Sequence, residues 1–218
     1  MRKMLLLAFS LMLLPVLALA QTPVDCPTCE LGIYDGADLN TNCGTVTPLT
    51  PKDLYLGINL SATEAGVTGI EFSIANMRQT EDGILVTATE GITSTPPNVL
   101  LGSVQAPADT SATSSLTGGM NVAWPSCVAG IKLPLLKVTI LTFSSIADKV
   151  FTVMHKFPPS SPNFGLLGPV AIRCDGPVFT AVKISGGYYV ANPSASPPKA
   201  CRVAVAPQTW GSVKGLYR

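Results

Sequence analysis

Six cysteines give this sequence its most definite chemistry: Cys26, Cys29, Cys43, Cys127, Cys174 and Cys201. The first two form a C-x-x-C motif, which in redox proteins opens a helix whose N-terminus lowers the thiol pKa. No strand-then-helix pattern surrounds it here, and the other four cysteines lack the second close pair that a zinc site needs. We therefore predict up to three structural disulfides. Sequence leaves all fifteen pairings open, and Cys174–Cys201 is one possible pair.

His155 is the only histidine, so general-base chemistry by an imidazole would have to use it. On an extended segment from Lys149 to Phe157 it shares a face with Phe151 and Val153, which predicts a packed side chain. No G-x-S-x-G nucleophile elbow occurs. Paired-carboxylate chemistry stays open with thirteen acidic residues, although most fall on outer strand faces or turns. We expect no enzyme activity and no cofactor, and keep a secreted hydrolase as the second alternative.

The segment from Asp35 to Asn42 is rich in the oxygen ligands that calcium prefers. Its spacing does not fit an EF-hand, because counting from Asp38 places Cys43 sixth and Leu49 twelfth instead of glycine and glutamate. An Asx-rich turn is the favoured interpretation. We predict no metal site, and calcium binding by this segment stays an open alternative.

Carbohydrate binding would need exposed aromatic rings, and aromatic residues make up 6% of the chain. The available side chains are Tyr34, Tyr55, Trp124, Tyr188, Tyr189, Trp210 and Tyr217. Tyr188 and Tyr189 are adjacent in a strand, so only one can point outwards. Trp124 precedes a proline and a cysteine and is expected in the core. A carbohydrate-binding module is therefore the first alternative function and not the leading one.

The elements that must position these residues are strands. Leu54, Leu56 and Ile58 alternate with polar or small residues, and the same period recurs from Gly69 to Ala75. Further strands are predicted at 31–35, 84–90, 99–104, 120–124, 133–143, 149–157, 170–173, 178–185 and 188–191. Turn residues recur about every ten positions, as in a sandwich or barrel. Gly186-Gly187 predicts a two-residue hairpin between the last two strands.

The N-terminus has the pattern of a secretory leader. Arg2 and Lys3 precede an apolar run, and Ala18-Leu19-Ala20 resembles a cleavage site near Ala20/Gln21. We therefore expect a secreted or periplasmic protein, with no membrane span after cleavage. The net charge is +1 and charged residues make up 12% of the chain, which argues against a nucleic-acid partner.

Four regions are predicted. Residues 1–20 form the signal peptide, residues 21–50 a cysteine-containing N-terminal segment with the first strand, residues 51–191 a β-sandwich, and residues 192–218 a cysteine-tied tail. Trp210, Val213 and either Leu216 or Tyr217 could share one face of a short C-terminal helix. The fold class is thus all-β, an antiparallel β-sandwich with a short C-terminal helix or tail.

Several stretches resemble the cohesin-like and immunoglobulin-like sandwiches of exported bacterial proteins. They are DLYLGINLSATEAGVTGIEFSI, TGGMNVAW and LPLLKVTILTF, flanked by LGIYDGADLNTNC and TWGSVKGLYR. The resemblance implies a β-sandwich. Cohesins bind dockerin modules or act as cell-surface scaffolds, so it also implies a binding role. No site residue is carried over from the family.

The combined interpretation is an exported, non-catalytic binding or structural module at the cell surface or outside the cell, of the protein-interaction or adhesion type. Its partner would be a protein or polysaccharide of the cell envelope or extracellular matrix. If the first two strongly alternating strands pair, their outward residues form one recognition surface. The predicted ligand-binding residues are Tyr55, Asn59, Glu71 and Ser73.

Overall fold

The computed structural model describes residues 22–60, 66–92, 98–107, 117–130, 132–165, 168–174 and 180–202. The predicted leader and the predicted C-terminal helix around Trp210 lie outside these ranges. The strands are β1 (Val24–Tyr34), β2 (Cys43–Gly44), β3 (Lys52–Asn59), β4 (Gly66–Ala75), β5 (Ile84–Gly91), β6 (Val99–Ser103), β7 (Gly119–Ala129), β8 (Lys132–Thr142), β9 (Lys149–Met154), β10 (Val170–Arg173), β11 (Thr180–Gly186) and β12 (Tyr188–Ala191). A one-turn helix, α1 (Gln79–Asp82), follows β4, and a 3-10 turn (Pro162–Phe164) follows β9. The all-β prediction is confirmed.

The strands form a two-layer sandwich. One layer runs β5-β8-β3-β1-β11, and β10 links β11 to β4 of the other layer. That second layer contains β6, β7 and β4, continued by β9, β12 and β2. Pairing is antiparallel except between β1 and β11 and between β2 and β12. Among the described residues no helix is long and apolar enough to cross a membrane.

The core is built by the residues that alternate along each strand. Leu54, Leu56 and Ile58 of β3 are fully buried and belong to the same hydrophobic cluster as Phe72 and Ile74 of β4. Period-2 alternation therefore identified the inner face of both strands correctly. It did not identify their neighbours, because β3 pairs with β1 and β8 whereas β4 pairs with β7, β9 and β10.

The hairpin predicted at Gly186-Gly187 is wrong. β11 lies parallel to β1, and the chain then continues into β12, which pairs with β9 instead of folding back on β11. The two glycines mark this change of partner. A Cβ on Gly186 would collide with the carbonyl of Val153, and one on Gly187 would lie 2.9 Å from the Cα of Gly32. Close approach to two backbones, and not a tight turn, explains the pair.

The disulfides are Cys26–Cys29, Cys43–Cys201 and Cys127–Cys174. The possible pair Cys174–Cys201 is therefore wrong. Cys127 on β7 and Cys174 after β10 lie on opposite sides of β4, and their bond passes over Gly66, where a Cβ would lie 2.7 Å from the sulfur of Cys127.

The other two disulfides fasten the ends of the described chain. The Cys26–Cys29 disulfide closes a bulge in β1. The register shows this bulge, since Asp25 and Glu30 are five residues apart on β1 but pair with residues only two apart on β11. Cys43 reaches Cys201 because the tail returns to β2. There the backbone of Arg202 exchanges hydrogen bonds with Asn42 at 2.6 and 3.3 Å.

Candidate interaction surface

The four predicted ligand-binding residues do not form one surface. Tyr55 and Asn59 lie on the outer side of the first layer, whereas Glu71 and Ser73 lie on β4 in the second. The premise that β3 and β4 pair is wrong, since each strand has other neighbours on both edges. Any binding role of these residues stays a prediction that must treat the two layers separately.

Glu71 and Ser73 do point away from the core, yet both are buried. The segment that follows β9 passes over them and covers β4. Ser73 donates its hydroxyl hydrogen to the carbonyl of His155 at 2.6 Å, and the Glu71 carboxylate accepts the N–H of Ser160 at 3.0 and 3.2 Å. Burial raises the pKa of Glu71 above its ordinary 4.5, although the bonds to Ser160 and the charge of Lys156 oppose part of the rise.

Ser160 is the centre of a polar network that extends from β4 to β7. Its hydroxyl oxygen accepts the side-chain amide of Asn121 at 2.8 Å and the ammonium of Lys156 at 3.4 Å. Lys156 also donates to the carbonyl of Pro158 at 2.9 Å. The Ser160 oxygen thus faces two donors, and the nearby Glu71 carboxylate is bonded to its backbone N–H. This arrangement fixes the covering segment across β4.

An exposed apolar strip lies beside this network, on β6. Val99 and Leu101 are 53% and 60% exposed, and they stand opposite Ala123 and Asn121 of β7. Residues directly opposite on paired strands share a face, so the strip and the network form one continuous surface. We call this surface the β6–β7 face; it consists of Val99, Leu101, Asn121, Ala123, Lys156 and Ser160.

His155 has the packed position that its strand pattern predicts. It is buried with Phe151, Val153 and Phe157, and its ring centre lies 4.1 Å from that of Phe157. Its buried Nε2 has no hydrogen-bond partner among the residues that the structure describes. Burial lowers the pKa of His155 below its ordinary 6.5, so the neutral form is favoured inside the fold.

The outer side of the first layer carries a pair of tyrosines. Tyr34 of β1 is directly opposite Tyr55 of β3, and both are half-buried. The next pair on the same face of the layer is Gly32 and Gly57. A Cβ on Gly32 would lie 2.6 Å from the Tyr34 hydroxyl oxygen, so the Tyr34 ring lies flat along its own strand.

Three other aromatic side chains are less available for stacking. Trp124 and Tyr189 are buried. Tyr188 is covered by the charged groups of Lys199 and Arg202, at 5.6 and 5.3 Å from its ring centre. Trp210 and Tyr217 lie outside the described residues. The Tyr34–Tyr55 pair is therefore the aromatic site that the first layer offers.

The oxygen-rich segment from Asp35 to Asn42 uses its side chains within the fold. Asp35 accepts the hydroxyl of Tyr189 at 2.6 Å and pairs with Lys52 at 2.7 Å. Asp38 accepts the side-chain amide of Asn40 at 2.8 Å. Across the described ranges no cluster of three or more histidine, cysteine or acidic residues converges on a point. The Asx-rich turn is thus held by protein contacts.

The β6–β7 face was not among the sites predicted from the sequence. Its apolar strip lies within the predicted strand 99–104. The available signal was the uncharged run Val99–Ser103, which lacks the polar alternation of an ordinary surface strand. The contribution of Lys156 and Ser160 had no such signal, since it depends on how the segment after β9 folds back.

Comparisons with known proteins give structural similarity alone. No protein-family model matches the sequence. No curated protein matches it either. Among solved structures, the fold is similar to a cohesin module of a family 33 glycoside hydrolase from Clostridium perfringens, with a TM-score of 0.44 and 11% identity over 78% of this chain and 100% of that one.

Two further cohesins are similar in the same way. A type I cohesin from Pseudobacteroides cellulosolvens has a TM-score of 0.42 and 10% identity over 80% of this chain and 98% of its own. A non-cellulosomal cohesin from Archaeoglobus fulgidus has a TM-score of 0.37 and 12% identity over 75% of this chain and 89% of its own. The family that the sequence motifs resemble is therefore also that of these similar structures.

Proposed function

We propose that this protein is an exported, non-catalytic module that binds another protein through the β6–β7 face, at the cell surface or outside the cell. The observation that carries the proposal is the position of two exposed apolar side chains, Val99 and Leu101, beside the fixed network of Asn121, Lys156 and Ser160. Protein interfaces combine an apolar centre with polar groups at its margin.

The polar part of this face is ordered before any partner arrives. Asn121 and Lys156 both donate to Ser160, whose backbone is bonded to the buried Glu71. Side chains that are already fixed lose less conformational entropy on association. The strip on β6 supplies the apolar area, and neighbouring Ala123 leaves room for an incoming side chain because it is small and exposed.

Two features support export. The first is the leader pattern of residues 1–20. The second is the set of three disulfides, a type of bond that persists in oxidising compartments and is rare in the cytosol. An adhesion or scaffold role at the cell surface fits both features.

Site-specific photo-crosslinking tests the proposed face. A benzoylphenylalanine is placed at Ala123, and in a matched control at Asn59, an exposed position on the other layer. Both oxidised proteins are irradiated with envelope and culture fractions of the source organism, and adducts are identified by mass spectrometry. We expect a specific protein adduct from position 123 alone, and saturable binding of the same protein once it is purified.

A charge change provides the second half of the test. Lys156→Ala removes one donor from the Ser160 hydroxyl and a cation from the face, and we expect it to weaken binding of the purified partner about tenfold, near 1.4 kcal/mol. Lys183→Ala, whose ammonium pairs with exposed Asp25 on the opposite layer, is the control. Adducts from position 59 alone, or equal binding by both variants, would overturn the proposal.

A glycan-binding role is the second candidate, and it depends on a different observation. Tyr34 and Tyr55 lie side by side on the outer side of the first layer. Near them Lys137 pairs with Glu90 at 2.9 Å, and Thr139 donates to Asp53 at 2.6 Å. Aromatic faces flanked by polar groups are suited to sugar rings.

A polysaccharide array decides between the two candidates. If the tyrosine pair binds glycans, Tyr55→Ala reduces retention at least tenfold while Lys156→Ala leaves it unchanged. If neither variant alters any glycan signal, the first layer is not a glycan site.

A further inference from the structure

β6 is an edge strand that pairs only with β7 among the described strands. Its five residues run in continuous register from Val99 opposite Ala123 to Ser103 opposite Gly119. In an antiparallel pair, alternate residues direct their N–H and C=O groups away from the partner strand. The other side of β6 therefore presents a row of backbone donors and acceptors next to its apolar side chains.

The other edges of the fold carry devices that prevent strand addition. β5 is interrupted by a bulge between Val86 and Ala88, and its Glu90 is paired with Lys137. β2 is only two residues long and its Cys43 is bonded to the tail. Bulges, charges and very short strands are the usual protections of a sheet edge. β6 has no charge, proline or bulge.

We propose that β6 pairs with β6 of a second copy of this chain, antiparallel, about a two-fold axis at Leu100. This register places Val99 of each copy opposite Leu101 of the other, so that both cross-strand pairs on the outer side are apolar. Leu100, which packs against the core, meets its own counterpart at the axis. In this register the three apolar residues, Val99 to Leu101, lie opposite only one another in the second copy. A shift by one residue would leave one apolar residue of each copy opposite a residue outside this run.

Charge also favours a second copy as the occupant. The strand carries no charged side chain, and the chain without the predicted leader has 12 basic and 13 acidic residues, since Arg2 and Lys3 are removed from the 14 basic ones. Two copies therefore meet at the axis without repulsion between like charges, which would otherwise disfavour a symmetric pair. The join produces a sheet that continues from β4 and β7 of one copy through both β6 strands into the other.

This inference goes beyond the proposed function, because the pairing needs no foreign protein. It has a consequence for that function, since the two β6–β7 faces become one surface with a single apolar centre. Hence a partner would contact both copies. Self-association and partner binding remain separately measurable, the first on the purified protein alone and the second by crosslinking from position 123.

Sedimentation equilibrium on the full chain, exported during expression so that its disulfides form, tests the pairing. We expect a reversible monomer–dimer equilibrium for the native protein and at least a tenfold weaker association for Leu101→Lys. Leu49→Lys is the matched control, because Leu49 is 69% exposed, far from β6 in sequence, and changes to the same residue. Circular dichroism and thermal melting show that each variant is folded.

A cysteine at the axis tests the register. Leu100→Cys is expected to form an intermolecular disulfide under mild oxidation, since residues facing each other across an antiparallel pair lie within disulfide range. Leu49→Cys is expected to form none. Peptide mapping confirms that the three native disulfides are intact in both variants.

Each other result contradicts the proposal. A native protein that stays monomeric up to millimolar concentration excludes the pairing, and dimers that survive Leu101→Lys must use another interface. Equal crosslinking by the two cysteine variants excludes the register. A monomer that still gives a protein adduct from position 123 refutes the pairing while leaving the proposed function intact.

Discussion

The carboxylate of Glu71 accepts the backbone N–H of Ser160 with both oxygens, at 3.0 and 3.2 Å. Glu71 occupies a position on β4 that faces away from the core, yet only 6% of its surface is exposed. This contact fixes the segment after β9 across β4. It also explains why an outward-facing glutamate is not part of an open recognition surface.

Glu71→Gln should change how stability depends on pH. Because burial raises the pKa of Glu71, the folded protein holds a proton at pH values where the unfolded chain has lost it. The free energy of unfolding of the native protein should therefore fall as the pH rises from the unfolded pKa, near 4.5, through the higher folded pKa. Urea titrations between pH 4 and 8 should show this component in the native protein and not in Glu71→Gln.

Two variants separate this charge effect from loss of the hydrogen bond. Glu71→Gln keeps an acceptor for the Ser160 N–H, whereas Glu71→Ala leaves that donor unpaired and should cost about 1–3 kcal/mol at pH 4. Identical pH profiles for the native protein and Glu71→Gln would show that the carboxyl does not titrate as its burial implies.

Asp82→Asn should destabilise the fold by about 2 kcal/mol at neutral pH. The Asp82 side chain is 7% exposed and accepts the Lys149 ammonium at 2.6 Å. It also accepts the Arg78 backbone N–H at 2.8 Å, so it joins α1 to the start of β9. Burial raises the pKa of Asp82, but the bonds from Lys149 and Arg78 outweigh this and hold it below the ordinary 3.8.

This contribution is present above the unfolded pKa and is lost as the pH falls through the lower folded pKa. The difference between the native protein and Asp82→Asn should therefore shrink below about pH 3.8. Asp25→Asn is the control, because its ion pair with Lys183 is exposed and should contribute less than about 1 kcal/mol. Equal effects of the two substitutions in chemical denaturation would refute the prediction.

Gly186→Ala should cost about 1–3 kcal/mol through overpacking. The added methyl group would collide with the Val153 carbonyl, which is backbone and cannot rotate away. Gly69→Ala is a matched control within β4, where the same atom would lie 3.4 Å from the Val122 oxygen, in ordinary contact. Thermal unfolding of both variants tests the prediction. An equally large loss of stability in Gly69→Ala would show that the close contact between Gly186 and the Val153 carbonyl is unimportant.

His155→Phe should remove an acid-sensitive component of stability. Burial lowers the pKa of His155 below 6.5, so the native protein loses stability as the pH falls from about 6.5 through the folded pKa. His155 is the only histidine, and within the described ranges its buried Nε2 has no hydrogen-bond partner. Phenylalanine has similar bulk and no such penalty. We expect a larger gain in melting temperature at pH 5 than at pH 7.5, and an equal gain at both would contradict this explanation.

The sequence predicted single strands better than their arrangement. Alternation at Leu54–Ile58 and Ile70–Ile74 identified both inner faces, because the period of a strand is set locally. It said nothing about neighbours, since strand pairing depends on contacts distant along the chain. The same limit explains Cys174, whose partner Cys127 is set by β7 and β10 flanking β4.

The candidate surface was harder to predict for two reasons. The outward direction of Glu71 was correct, but its burial depends on the segment ending at Ser160, and no local pattern reports such covering. The Gly186-Gly187 pair has the composition of a hairpin turn and is used instead for close backbone approach. Composition shows that glycine is needed there, but not for which geometry.

The Cys43–Cys201 bond has a mechanical consequence when the chain is pulled from two positions that flank it. A force applied at Thr22 and Arg202 is transmitted through this bond, so the chain enclosed between the two cysteines carries no load. In the oxidised protein only β1 and the segment leading to Cys43 can be extended, to a length of about 70 Å. In the reduced protein the whole chain from Thr22 to Arg202 can be extended, to roughly 600 Å. Single-molecule force spectroscopy would read this difference directly as a covalent limit on how far the module can stretch.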